Sequence, residues 1–292
     1  MKIALVVPWH KASQIAAFKQ AWDIEKKTPD YVFFQHDATQ AGCAQTKNAG
    51  IKRALDDGAD IVVVLDDDCY PLAPVMGQPG MQSLDDLVAA HVKALQPQKV
   101  RAVYPTCLPR PRGMPYRNEH IVRPVAASIG LWTNNLDLDA ASTLVLGEKT
   151  QPEQYARFPF YHHFFPFCGM NFAFRKEWAE CAVLIDVPRF DDIWMGWIWE
   201  KVAYEKGYCF NLAGPMIDHS RQSDVWANLE SEVKYLKVNE DLWSAIYSAP
   251  ANLTAVDLRG KFFPSARPLV ESIPGPPGVP MGDLTGPSPS ML

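Results

Sequence analysis

An α/β fold with a mostly parallel sheet flanked by helices is predicted by three features near the N-terminus. Two apolar runs, KIALVV at 2–7 and DIVVVL at 60–65, lack polar alternation, as strands covered on both faces do. Residues 13–26 carry Ile15, Ala16, Phe18 and Trp22 at helical spacing. Residues 43–57 read as a second helix stopped by Gly58, and YVFFQH at 31–36 supplies another strand. The resulting order is β-α-β-α-β, the start of a parallel sheet with right-handed crossovers.

Further along, a helix is expected over 84–95 and a strand over 99–106, followed by an irregular Pro- and Arg-rich loop at 107–124. Residues 125–165 carry no readable period. FCGMNFAF at 167–174 reads as a strand, with a helix following from about Lys176. Residues 191–206 form a helix with Gly207 just beyond it, a usual C-terminal stop. A last strand at 208–217 leads to Asp218-His219-Ser220, and a long polar helix covers 223–247. The expected organisation is one domain over 1–250 and a Pro/Gly-rich tail over 251–292. The tail holds eight prolines from Pro264 onward and too few apolar groups to order it.

Composition narrows the function. The 292 residues suffice for a sizeable core, and the net charge of −5 gives no global field attracting nucleic acid. The six cysteines are scattered without a C-x-x-C pair, which argues against a zinc ribbon and for free thiols in a reducing cytoplasm. The N-terminal apolar run is too short for a secretory signal. No stretch reaches the roughly 18 apolar residues that a membrane span requires.

The chemistry concentrates at Leu65-Asp66-Asp67-Asp68, where the third strand ends. Open α/β sheets bind ligands beyond the carboxyl ends of their strands. Adjacent carboxylates repel, and a divalent cation bridging to a diphosphate relieves that repulsion. Asp66 and Asp68 have D-x-D spacing: one can face the ribose while the other binds metal. Asp66 and Asp67 are assigned to the nucleotide as well. Lys47, on the preceding helix, is a candidate for base or phosphates, with a solvated helix lysine as the plainer alternative. Pro8 and Asp37, at the ends of the first two strands, are placed to contact the nucleotide. An ordinary turn aspartate is the alternative for Asp37. Asp191 and Asp192 open the aromatic helix as candidates for base catalysis or acceptor binding, unless they only cap it. His219 is a candidate third metal ligand, with a structural histidine as the alternative.

Several clusters then resemble a known family. LDDDCYP (65–71), SIGLWTNNLDLDAASTL (128–144), FPFCGMNFAF (165–174) and FDDIWMGWIWEKV (190–202) resemble, in order, segments of the reversibly glycosylated polypeptides, also called UDP-arabinopyranose mutases. IDHSRQSD (217–224), followed by Trp226, Asn228 and Leu229, extends the match. The resemblance implies a GT-A (Rossmann-like) fold, a UDP-sugar, and Mn²⁺ or Mg²⁺ at the acidic triplet. It also implies that Asp191, Asp192 and His219 correspond to that family's acidic pair and histidine. Plant members carry a reversibly glycosylated arginine between the GLW and CGMN segments. Here that stretch, 147–163, holds the single arginine Arg157.

On these grounds the first expectation is a metal-dependent glycosyltransferase moving a sugar from a UDP-sugar to an acceptor hydroxyl. A UDP-sugar pyranose/furanose mutase stands second, and a non-catalytic nucleotide-sugar-binding protein third. Lys99, Arg101, Arg110, Arg112, Arg117 and Arg123, with Glu119 the one acid among them and Tyr104 and Tyr116 interleaved, form a candidate patch for a polyanion. DNA is one acceptor it would fit, and a solvated loop is an equal alternative. The oligomeric state is left open.

Overall fold

A computed structural model describes residues 1–73, 80–101, 120–134, 138–146, 165–212, 214–220, 224–264 and 276–277. The N-terminal expectation holds element by element: β1 Ile3–Trp9, α1 Ala12–Ala21, β2 Val32–His36, α2 Cys43–Asp56 and β3 Ile61–Leu65. β1 pairs parallel with both β2 and β3. Alternate residues of the two apolar runs go to opposite layers. Ala4, Val6, Val62 and Val64 pack with Ile51 and Ala54 of α2. Leu5, Val7, Ile61, Val63 and Leu65 pack with Ile15 and Phe18 of α1. Burial on both faces is the physical reason these strands lack polar alternation.

The next elements are β4 Cys69–Tyr70, α3 Leu84–Ala94, β5 Gln98–Arg101 and β6 His120–Arg123. They are followed by β7 Val125–Ile129, β8 Trp132–Asn134, α4 Ala140–Leu146 and β9 Asn171–Arg175. The main sheet has six strands in the order β10-β7-β9-β3-β1-β2, with β10 at Cys209–Asn211. β9 runs antiparallel to β3 and β7, while the remaining pairs are parallel. The fold is thus an α/β, mostly parallel sheet flanked by helices.

Several boundaries differ from the sequence reading. The strand expected over 99–106 is described only as β5, and the rest of that span lies outside the described residues. Only one 3-10 turn, Lys176–Trp178, forms where a helix was expected. The strand expected over 208–217 divides: β10 joins the main sheet, and β11, Ile217–His219, joins a three-stranded sheet in the order β4-β11-β8. The long polar helix is two helices, α6 Val225–Val233 and α7 Leu236–Tyr247. Residues assigned to the tail form a further helix, α8 Ala255–Phe262, whose Thr254 and Asp257 make a capping box. Buried Leu258 and Arg259 dock it, with Arg259 paired to Glu180 at 2.5 Å. The packed domain therefore extends past residue 250.

Between these lies α5, Asp191–Glu205, buried on nearly every side from Trp194 to Ala203. Gly196 lets the helix approach Phe167, since a Cβ there would collide with the Cβ of that residue.

Candidate functional site

The carboxyl ends of β1, β2 and β3 converge with the N-terminus of α2 on one cleft of about 590 Å³. Among its lining residues are Pro8, Trp9, Asp37, Gly42, Asp66, Asp67 and Asp68. At its rim the Trp9 and His36 rings stack 3.9 Å apart. Gly42 opens α2 at a φ of +98°, a backbone setting that favours glycine. Asp37 secures that turn: Ala41 N–H donates to Oδ1 at 2.7 Å and Gly42 N–H to Oδ2 at 3.0 Å.

The acidic triplet is folded so that its three members differ. Lys47 is buried on α2, with a side chain only 4% exposed, so it is not a solvated helix lysine. Its ammonium donates to Asp66 Oδ2 at 2.9 Å and to the Gly169 carbonyl at 2.8 Å. Asp66 Oδ1 also lies 2.8 Å away, as an ion-pair contact outside hydrogen-bond alignment. Desolvation works against the charged ammonium, but facing carboxylates, chiefly Asp66, hold its pKa well above the usual lysine value. Burial raises Asp66 to about 6, with Lys47 opposing. Asp67 is raised to about 7 by burial and by its two acidic neighbours. Gln14 Nε2 donates to Asp67 Oδ1 at 3.1 Å, and Asp67 Oδ2 is buried without a hydrogen-bond partner.

Asp68 turns the other way. Antiparallel pairing of β4 with β11 sets Cys69 opposite His219, and His219 Nε2 lies 3.6 Å from Asp68 Oδ2. The structure therefore joins Asp68 to a histidine about 150 residues away, whereas Asp66 is drawn to Lys47. Among the described residues no group of three His, Cys, Asp or Glu stands ready to hold a metal. Asp68 and His219 are a two-donor pair. An oxygen and a nitrogen bound side by side to one ion at ~2.1 Å stand about 3 Å apart, close to their separation here. A cation held there would have to take its other positions from water or phosphate.

A second cavity of about 750 Å³ shares Gly42, Cys43 and Asp66 with the cleft and reaches Asp186, Asp191, Asp192 and Glu232. The two acids at the start of α5 play different parts. Asp192 Oδ2 accepts from Gly169 N–H at 2.7 Å and its Oδ1 from Ile193 N–H at 2.9 Å. It thereby ties the helix start to the loop that also supplies Lys47's carbonyl partner. Phe190 occupies the N-cap position, so neither aspartate is the N-cap residue. Asp191 has its pKa pushed up by desolvation and then by Asp192, with Lys47 opposing.

Sequence reasoning missed three participants. Gln14 touches Asp67, and Gly169 touches both Lys47 and Asp192. The third is the pair Arg189–Glu232, at 2.8 Å. Glu232 Oε2 also accepts the Ala140 N–H at 2.8 Å, so one buried carboxylate joins α6, the start of α4 and the loop before α5. Arg189 holds a φ of +69°, and such strain in a non-glycine residue tends to accumulate at functional sites. The GMN run and the acidic pair were visible in the sequence, but their mutual contacts were not. Of the basic segment, Arg110, Arg112 and Arg117 lie outside the described residues, as does Arg157.

The sheet order and the site beyond its strand ends define an α/β protein of the GT-A, Rossmann-like class. The model of the family described as reversibly glycosylated polypeptide matches residues 59–258, and the chain belongs to that family. It is similar to "Probable UDP-arabinopyranose mutase 4" of Arabidopsis thaliana, 28% identical over 206 residues, which cover 62% of this chain and 52% of that protein. It is also similar to "Probable UDP-arabinopyranose mutase 1" of Pisum sativum, 32% identical over 141 residues, covering 45% and 38%. "UDP-arabinopyranose mutase 1" of Arabidopsis thaliana is 30% identical over 158 residues, covering 51% and 44%. The chain spans about half the length, or less, of these curated relatives. No helix among the described residues is long and apolar enough to cross a membrane.

Proposed function

We propose that this chain is a UDP-sugar mutase that interconverts pyranose and furanose forms of the sugar while it remains a nucleotide derivative. The relatives' names favour this over the glycosyltransferase reading placed first on the sequence alone. The observation that carries the proposal is the junction at Asp66. A cleft suited to a nucleoside diphosphate shares that residue with a second cavity lined by Asp191 and Asp192. A ring interchange moves the anomeric carbon between two oxygens of the same sugar, so it requires no external acceptor.

Each group has a part in this reading. Pro8 and Asp37 border the nucleotide, and the strand ends supply its binding edge. Mn²⁺ or Mg²⁺, held by Asp68 and His219, would neutralise charge on the diphosphate. Lys47 fixes Asp66 and stays charged beneath it. Asp191, whose carboxyl is pushed toward neutrality by burial, carries the proton lost by the attacking sugar hydroxyl to the ring oxygen that is released. Asp192 positions the loop at Gly169 and the start of α5. A cytoplasmic setting agrees with the five described cysteines, all of them free thiols.

The test is incubation with UDP-arabinopyranose and Mn²⁺ in the absence of any acceptor, with the nucleotide sugars separated by chromatography. UDP-arabinofuranose is the expected product. Release of UDP only when an acceptor is added, with no change of ring form, returns the transferase to first place.

A further inference from the structure

A chain of buried polar groups runs behind the site. It joins His91 of α3, Ser128 of β7 and Asn171 of β9, all fully buried. His91 Nδ1 lies 2.9 Å from Ser128 Oγ, and its Nε2 lies 2.8 Å from Asn171 Oδ1. Asn171 Nδ2 donates to the Pro215 carbonyl at 2.9 Å. The Pro215 end fixes every direction in the chain. A carbonyl can only accept, so the amino group of Asn171 faces Pro215 and its oxygen faces His91. That oxygen needs a donor, so His91 carries its proton on Nε2. Burial lowers His91 to about 4, so the ring is neutral at neutral pH and its bare Nδ1 accepts from the Ser128 hydroxyl. Gly130 makes room for this arrangement, because a Cβ there would overlap Asn171 Nδ2 and the Pro215 carbonyl oxygen. Asn171 also stands where the strands that supply the site meet. It pairs with Leu65, the residue before the acidic triplet. Just ahead of it, the Met170 carbonyl accepts the Asp66 N–H at 2.9 Å and the Gly169 carbonyl accepts from Lys47. Its side chain reaches Pro215, shortly before β11, the strand that brings His219 to Asp68.

We propose that Asn171 is a positioning residue for the nucleotide-sugar site, held in its working orientation by the Nε2–H tautomer of His91. The inference rests on the nucleotide-sugar reading above and adds to it residues that act from behind the site. β11 has main-chain pairing with β4 and β8 that does not involve the Asn171 side chain. The bond to Pro215 therefore sets where the His219 strand lies relative to the acidic triplet, rather than whether that strand forms.

The experiment replaces the two ring nitrogens one at a time in the full chain. His91→Gln puts an amide N–H near the place of Nε2, so it keeps a donor for Asn171 and loses Ser128. His91→Asn puts an amide oxygen near the place of Nδ1, so it keeps Ser128 and leaves Asn171 without its donor. Each variant gives up one buried hydrogen bond, and a purely structural role would affect both alike. Calorimetric titration with UDP at pH 7.5 with MnCl₂ is expected to show about tenfold weaker binding for His91→Asn, and binding within about threefold of the unaltered protein for His91→Gln. Circular dichroism verifies that each variant is folded. His91→Gln binding UDP no better than His91→Asn overturns the inference alone. The unaltered chain supplies a second measurement that needs no variant. Heteronuclear NMR of the His91 imidazole, assigned through its side chain, is expected to show a neutral ring protonated at Nε2. A ring protonated at Nδ1 overturns the inference alone. Failure of the unaltered chain to bind UDP at all overturns the nucleotide-sugar reading, and the inference with it.

Discussion

Lys47 shows how much one buried charge organises. Its side chain is almost fully enclosed, while Asp66 keeps 22% exposure. Removing one partner of such a pair leaves the other charge uncompensated. Lys47→Met is expected to destabilise the protein by about 3 kcal/mol at pH 8, measured by urea unfolding. The loss should shrink at pH 5, because Asp66 is then protonated and needs no counter-charge. An equal loss at both pH values would mean that packing, rather than the ion pair, sets the cost. Asp191 carries a different expectation. Asp191→Asn removes the proton acceptor while leaving the nucleotide cleft intact, so kcat should fall by about 10²–10⁴-fold. UDP affinity should stay close to that of the unaltered protein. Turnover within threefold of the parent would remove Asp191 from the chemistry.

At the scale of elements, α5 links core and site. Its first turn presents Asp191 and Asp192, and its middle is clamped among Phe167, Phe172, Phe174 and Trp178 through Trp199. Gly196 is the point of closest approach to Phe167, the residue two before Gly169. Gly196→Ala gains helix propensity but forces the helix away from that ring. The overpacking is expected to dominate, at about 1–3 kcal/mol of lost stability. Because Asp192 grips Gly169, the same substitution should lower activity beyond the loss of folded protein. A thermal midpoint equal to or above that of the parent would show that the loop yields without strain.

At the scale of the whole molecule, the buried carboxyls make stability depend on pH. Asp67, raised to about 7, holds a proton in the folded chain that the unfolded chain releases near 4. Stability from that difference is complete below the unfolded value and is lost as pH rises through about 7. His91 works in the opposite sense. It is buried between Ser128 and Asn171 and lowered to about 4, chiefly by desolvation. Its contribution is complete above about 6.5 and is lost only as pH falls below that value. Between pH 6.5 and 8 the acids therefore act alone, and Glu200, raised well above the usual glutamate value by burial, adds to the same trend. The unfolding free energy of the metal-free protein should fall across this window, by at most ~1.4 kcal/mol per pH unit for each such proton, and the thermal midpoint with it. Mn²⁺ together with UDP should recover much of the loss at pH 8, because both bind the ionised site. A midpoint that is flat or rises from pH 6.5 to 8 would contradict the burial assigned to these acids.

The sequence by itself determined the N-terminal half of the sheet, because strands buried on both faces must be apolar at every position, and 2–7 and 60–65 are. It also located the acidic triplet and the acidic pair, because carboxylates directly beside apolar elements stand out in any reading. Tertiary structure alone decided the rest. β7, with its small residues Ala126, Ala127 and Ser128, has no period of its own and is a strand because β9 and β10 flank it. The β4–β11 pairing, not any local signal, brings His219 to Asp68, and Asp66 faces Lys47 because α2 packs beneath β3. Charge partners are chosen by chain-distant packing, and no spacing along the sequence records that choice.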